Sequence, residues 1–206
     1  IEVVPYAAPE GLLTCTPQRP QALLPAGFFF YPAQFWQHKN HLRLLEALGR
    51  VKAHHPDIHC VFSGSTSHQG YAPFMEAIQT LRLAQNVTVL GYVSTAEIAW
   101  LYRHARGLIM PTLFGPTNIP PLEAMALACP VAVSDIYAMR EQCGDAALYF
   151  NPHDTGDMAL AISRLWTDAQ TRSRLVEKGL AHHNAWNYGH MKSALTATLR
   201  EQLEQR

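Results

Sequence analysis

The chain has 206 residues, 48% of them hydrophobic and 16% charged, a globular composition that excludes a disordered or collagen-like polypeptide. Sixteen basic residues balance sixteen acidic ones, so no net field favours nucleic acid or an anionic membrane, and any bound anion must be held by local groups. Apolar runs such as Val87–Leu90 and Ala124–Cys129 are far too short to cross a bilayer, and Ile1 opens without the basic and apolar regions of a secretory signal. The missing initiator Met reads as an excised fragment. Cys15, Cys60, Cys129 and Cys143 form no C-x-x-C pair and no zinc spacing, so reduced thiols in a cytoplasmic protein are expected. The eleven histidines are scattered, with no H-E-x-x-H, and read as solvated surface residues rather than metal ligands.

In chain order, Ile1–Pro5 has strand character, and Pro9, Gly11, Pro17, Pro20 and Pro25 then punctuate an irregular stretch. Residues 1–26 therefore read as a linker or crossing segment. Gly27–Tyr31 is a short apolar run of buried-strand length, and Asn40–His54 carries Leu42, Leu44, Leu45, Leu48 and Val51 at helical spacing. Ile58–Phe62 predicts a second strand, Pro73–Leu83 a helix and Val87–Leu90 a third strand. Ser94 and Glu97 form a capping box that opens a helix with Ile98, Leu101 and Tyr102 turned inward. Gly107–Met110, Val131–Val133 and Ala146–Phe150 complete the strands, with a helix over Pro120–Ala128. After Phe150 the alternation stops: Asp154–Trp166, Thr171–Trp186 and Tyr188–Glu204 all read as helices.

Strand and helix in alternation, with near-continuous apolar strands, predict an α/β fold: a Rossmann-like, doubly wound parallel sheet of about six strands with a helical tail. Residues 27–186 form this domain and 187–206 a carboxyl-terminal helix. Ligands of such sheets sit beyond the carboxyl ends of the strands. Here that edge is built by Pro32–Lys39, Ser63–Gly70, Gly91–Ser94 and Pro111–Asn118. None holds the G-x-G-x-x-G or P-loop pattern, which excludes the usual dehydrogenases and NTPases.

The most informative stretch is Pro111-Thr-Leu-Phe-Gly-Pro-Thr-Asn-Ile-Pro-Pro-Leu-Glu-Ala-Met-Ala126. Pro120 and Pro121 suit the first turn of a helix, where backbone N–H groups lack intrahelical partners. The free N–H groups near Thr117–Ile119 would face the ligand edge and favour an anion, phosphate above all. Glu123, one turn in, is placed either to accept from a pair of ribose hydroxyls or merely to complement the helix terminus.

This stretch, with Cys129-Pro-Val-Ala-Val-Ser-Asp135 after it, resembles the signature of group 1 (family 4) retaining glycosyltransferases. Gly91-Tyr-Val-Ser94, Gln37-His-Lys-Asn40, Ser63-Gly64 and Gly144-Asp-Ala-Ala-Leu-Tyr-Phe-Asn-Pro152 match further family segments in the right order. The resemblance runs from about Ile1 to Glu204 and implies one half of a GT-B fold, the carboxyl-terminal domain that holds the nucleotide-sugar donor. It implies that Lys39 neutralises the donor diphosphate, that Glu123 is the second glutamate of the E-x7-E pair and binds ribose, and that Leu122 packs beside it. Tyr92 and Val93 match the segment whose backbone reads the base, although Tyr92 also suits a core position. Gly64 would let backbone approach the donor, or serve as a plain turn glycine. Gly115, Pro116, Thr117, Asn118 and Ile119 would cradle the leaving diphosphate.

The chain departs from the family pattern at two places. The first glutamate of E-x7-E is Gly115, in Gly-Pro-Thr-Asn where Glu-Gly-Phe-Gly is usual, and the phosphate-binding arginine is Gln34. The resemblance implies a hexosyltransferase of mannose or glucose type acting on a glycan or lipid-linked acceptor in surface polysaccharide synthesis. It implies no metal and no cofactor, with the acceptor held mainly by an amino-terminal domain that this chain does not match and through which it could associate peripherally with a membrane. The alternatives are a non-catalytic nucleotide-binding module, which Gly115 favours, and a sugar-nucleotide epimerase or phosphorylase of the same fold.

Overall fold

The computed structural model describes residues 3–115 and 118–204. Six strands form one parallel sheet: β1 (Phe29–Pro32), β2 (Cys60–Ser63), β3 (Val87–Val89), β4 (Gly107–Met110), β5 (Val131–Ser134) and β6 (Ala147–Phe150). Their order is β3-β2-β1-β4-β5-β6, so the chain reverses direction across the sheet between β1 and β4. Phe29 and Phe30 pair with Cys60 and Val61 on one side and with Gly107 and Leu108 on the other. The residues of β1, β2, β4 and β5 are buried almost throughout, as a sheet covered on both faces requires.

The helices are α1 (Glu10–Thr14), α2 (His41–Lys52), α3 (Tyr71–Thr80), α4 (Thr95–His104), α5 (Ile119–Ala126), α6 (Met139–Cys143), α7 (Thr155–Thr167), α8 (Ala169–Ala185) and α9 (Tyr188–Glu204). They divide by what they touch: α2 packs on α3 and α7, whereas α4 packs on α1 and α5 on α8. These two groups cover opposite faces, as parallel connections dictate. The predicted capping box is present, with Ser94 Oγ accepting from Glu97 N–H at 3.3 Å and the Glu97 carboxylate accepting from Ser94 N–H at 2.8 Å.

Several local expectations change. The stretch before β1 is laid over the domain: Ala7, Ala8 and Leu12 are buried, α1 packs on α4, and Gln18 N–H donates to Ala96 O at 3.0 Å. Val3–Pro5 form no strand, and Ile1 and Glu2 lie outside the described residues. Two histidines leave the surface. His59 is buried and meets Thr88 Oγ1 at 2.8 Å, while His41 sits among Tyr31, Phe35, Phe62 and Phe74 with ring centroids 4.8–5.9 Å away. Burial and the nearby Lys39 charge hold the His41 imidazole down at about 3. All four cysteines are free, three of them buried. Among the described residues no helix is long and apolar enough to cross a membrane. On α9, Leu195, Leu199 and Leu203 are exposed.

Candidate functional site

The reversal of strand order opens the sheet edge between β1 and β4, where a doubly wound fold leaves room for a ligand. The connection from β1 to α2 forms one side. It makes a single 3-10 turn at Gln37–Lys39 and ends on Asn40, whose φ of 60° is a left-handed conformation that asparagine tolerates better than most residues. The buried Asn40 amide donates to Pro111 O at 2.9 Å and to Pro152 O at 2.8 Å, clasping the segments that follow β1, β4 and β6. His38 O accepts from Leu113 N–H at 2.8 Å, and the Tyr31 hydroxyl donates to Lys39 O at 2.8 Å. The Lys39 backbone is thereby fixed. Its ammonium is half-buried, has no carboxylate partner among the described residues, and is pushed down from the usual lysine range by burial. An unpaired, partly desolvated cation on a fixed backbone is suited to an incoming anion.

Beside it, the loops after β1, β2 and β3 are laced together. Ala33 N–H donates to Ser63 O and Gly64 N–H to Gly91 O, each at 2.9 Å. Gly64 has φ +153°, and a Cβ there would lie 2.3 Å from Ala33 O. Its glycine thus serves the close approach of two loops within the protein. Gln34 Oε1 accepts from Ser65 N–H at 2.8 Å, which turns the Gln34 NH2 group, a donor only, away from that bond. Tyr92 is 88% exposed and therefore not a core residue, while Val93 is buried in the wall behind it. Gln34, Lys39, Gly64, Tyr92 and Val93 together line one cleft of about 310 Å³, with Trp36 and Pro120 also at its border. That volume is at the small end for a ligand pocket of about 300–1,000 Å³.

The turn from β4 into α5 forms the facing side. Pro116 and Thr117 lie outside the described residues. Asn118 corrects one expectation: its N–H is not free but donates to Gln142 Oε1 at 3.2 Å, and Gln142 Nε2 donates back to Asn118 O. Ile119 N–H finds no acceptor among the described residues. The Asn118 amide donates to Gly115 O at 3.1 Å, and a Cβ on Gly115 would lie 2.7 Å from Asn118 Oδ1. The usual order of glutamate then glycine is thus inverted in this turn, with the polar side chain at its end and the glycine at its start. A side chain at 115 would require the end of the Asn118 side chain to move aside.

Leu122 is buried, and Glu123 is half-buried rather than a surface complement to the helix dipole. The Tyr102 hydroxyl donates to Glu123 Oε2 at 2.9 Å, and the Tyr102 ring packs edge-on against Phe30 at 5.1 Å. Burial raises the Glu123 carboxyl above the usual range and the Tyr102 bond partly offsets this. Neither Glu123 nor Leu122, Gly115, Asn118 or Ile119 borders the cleft of Lys39; among the described residues of α5 only Pro120 does. Among the described residues no three His, Cys, Asp or Glu side chains converge as a metal site.

A family model described as "Glycosyl transferases group 1" matches residues 18–182. The chain belongs to the group 1 glycosyltransferases. Among relatives of this glycosyltransferase chain, O-antigen chain mannosyltransferase RfbU of Salmonella typhimurium is 39% identical over 90 residues, 44% of this chain and 26% of the relative. O-antigen chain mannosyltransferase B of Escherichia coli is 29% identical over 102 residues, 50% and 27% of the two chains. The match thus spans about a quarter of these relatives' length. A sucrose-phosphate synthase from Thermosynechococcus elongatus superposes with TM-score 0.80 at 21% identity, over 89% of this chain and 47% of that one. HepE of Anabaena, solved in complex with UDP and glucose, superposes with TM-score 0.77 at 17% identity, over 85% and 48%. The fold is that of one Rossmann-like half of a GT-B glycosyltransferase.

Sequence reasoning did not reach four residues that shape this candidate site. Asn40 was legible only as a helix boundary and as the end of the Gln37–Asn40 segment, and Tyr102 only as an inward-facing core residue. Gln142 and Trp36 carried no signal, because what they do depends on partners brought close by the fold.

Proposed function

We propose that this chain is the donor-binding part of a hexosyltransferase that takes a mannose- or glucose-type hexose from a nucleoside diphosphate sugar and delivers it to a glycan or lipid-linked acceptor. The observation that carries this reading is Lys39: a half-buried ammonium with no carboxylate partner among the described residues, on a clasped loop at the strand-order reversal. In the proposed reaction the bond from the anomeric carbon to the diphosphate breaks while an acceptor hydroxyl forms its own bond to that carbon. The hydroxyl proton leaves with the released diphosphate. Lys39, the Gln34 NH2 group and the start of α5 stabilise the charge that develops on the diphosphate, which is electrostatic catalysis. The reading gives the diphosphate to these groups rather than to a metal ion. Glu123 receives the ribose hydroxyls on the carboxylate capacity that Tyr102 leaves open, and Leu122 lies beside it.

The O-antigen mannosyltransferases among the relatives support a role in surface polysaccharide synthesis, and the family likeness supports retention of configuration. The acceptor would be held mainly by a further domain, with peripheral membrane contact through it, on the cytoplasmic side where nucleotide sugars are made. One observation favours a second reading, a nucleotide-binding module without transfer: position 115, where the family pattern has its first glutamate, is a glycine with no side chain to offer.

Thermal shifts with a panel of nucleotides test the reading. Nucleoside diphosphates should stabilise the protein by mass action more than the matching nucleosides do. Equal shifts for a nucleoside and its diphosphate would remove Lys39 from the site.

A further inference from the structure

The Trp36 indole borders a second and larger cleft, about 860 Å³, between the start of α2 and the loop into α3. It shares Trp36 with the Lys39 cleft and Asn40 with the clasp of that site's loops, and the donor reading assigns no ligand contact to the rest of its lining. Besides the buried Asn40 and His41, its polar lining is Gln37, Arg43, Glu46, Ser67, His68 and Gln69. Arg43 Nη1 donates to Asn40 Oδ1 at 3.2 Å, so its guanidinium is tethered to the same asparagine that clasps the loops. Trp36 is 46% exposed, yet its ring lies between two imidazoles, His38 at 5.5 Å and His68 at 5.6 Å. An indole held this way presents a fixed apolar plane at little further entropic cost on binding.

The lining selects its guest. One guanidinium and one carboxylate cancel, so there is no surplus charge to attract a phosphate. The remaining groups are neutral or bidentate hydrogen-bonding side chains around a flat aromatic surface. That combination matches a molecule with apolar C–H faces and a rim of hydroxyls, a neutral saccharide. Trp36 also borders the cleft of Lys39, so a saccharide seated in the second cleft would direct its end toward the donor site. We infer that the cleft between α2 and the α3 loop is a subsite for a neutral oligosaccharide, the growing acceptor, with Trp36 as its platform and Arg43 and Glu46 as its hydrogen-bonding partners. This rests on the proposed transferase function, but it is testable apart from it.

Mannotriose serves as the probe, titrated into the protein by calorimetry with and without saturating nucleoside diphosphate. Binding with about millimolar affinity is expected. Arg43→Ala and Glu46→Gln should each weaken mannotriose about tenfold while nucleoside diphosphate affinity stays within about twofold. Trp36→Ala should abolish mannotriose binding and Trp36→Phe should recover part of it, which a change in folding alone would not do. Mannotriose and nucleoside diphosphate should bind together. Displacement of one by the other would move the saccharide into the donor cleft and overturn the inference. So would no binding at about 20 mM, or binding indifferent to Arg43→Ala and Glu46→Gln, either of which leaves the cleft to another occupant such as a protein segment. If mannotriose binds as expected and nucleoside diphosphate does not bind at all, the donor reading falls and this subsite stands.

Discussion

The two sides of the Lys39 cleft are held in different ways. On one side the loops after β1, β2 and β3 are laced by main-chain hydrogen bonds, with Gly64 permitting the contact and Asn40 closing the end. On the other side, where Pro120 reaches the cleft, the turn and helix behind it are held by side chains: Gln142 on Asn118, Asn118 on Gly115, Tyr102 on Glu123. Main-chain lacing fixes position without regard to most side-chain identities, whereas side-chain ties change with every substitution. The laced side is thus the less sensitive of the two to substitution.

The contrast is most sharply broken at Gly64. Gly64→Ala should destabilise the protein by about 2–4 kcal/mol, combining backbone strain with the clash against Ala33 O, as measured by urea unfolding. A loss below about 0.5 kcal/mol would show that the lacing yields. Lys39→Ala should leave stability nearly unchanged but weaken nucleoside diphosphate binding roughly ten- to a hundredfold, a charge-assisted contact of about 1.5–3 kcal/mol. Calorimetry at fixed salt reads this, and unchanged affinity would reassign the loop.

Beneath the laced side, His41 provides a pH test. Its folded value of about 3 lies below the unfolded value, so the unfolded chain takes up a proton first as pH falls. The stability tied to neutral His41 is present above about pH 6.5 and is lost on the way down toward pH 3. Between pH 7 and pH 5 this amounts to about 2 kcal/mol, and His41→Phe should remove that share of the acid sensitivity. An identical pH profile for the variant would place the sensitivity elsewhere.

On the tied side, Glu123→Gln should lower ribonucleotide affinity by about tenfold. The 2′-deoxy analogue should bind poorly to begin with and lose little more, because a shared contact is lost only once. The raised Glu123 value runs opposite to His41: the folded state holds this proton more tightly, so stability falls as pH rises through the window between the unfolded and folded values. Replacing the buried carboxylate by an amide should therefore keep or raise stability at neutral pH while binding falls. Tyr102→Phe, which frees Glu123 without touching ligand, should cost only a few-fold in affinity. Equal losses for ribo- and deoxyribonucleotides would take Glu123 out of the site.

Strand positions, the capping box and the loops at the sheet edge were legible because each leaves a local pattern in the chain: apolar runs, Ser94 before Glu97, Pro120 and Pro121 opening a helix. The five-residue helices α1 and α6 were not, since so short a segment carries too little periodicity to detect. Gln142 reaches Asn118 from 24 residues away and Tyr102 reaches Glu123 from 21, and no local pattern encodes such pairs. The free amide expected at Asn118 failed for this reason, its partner being supplied by a helix that the sequence did not announce.

Asn40 has a consequence for how such a protein diversifies. One amide fastens Pro111 and Pro152, and Leu113 N–H donates to His38 O, so the start of the β4 loop is pinned while Gly115 and Asn118 beyond it depend on replaceable side-chain ties. Substitutions in that turn can therefore alter its shape while the fastening of Pro111 and Pro152 by Asn40 stays in place.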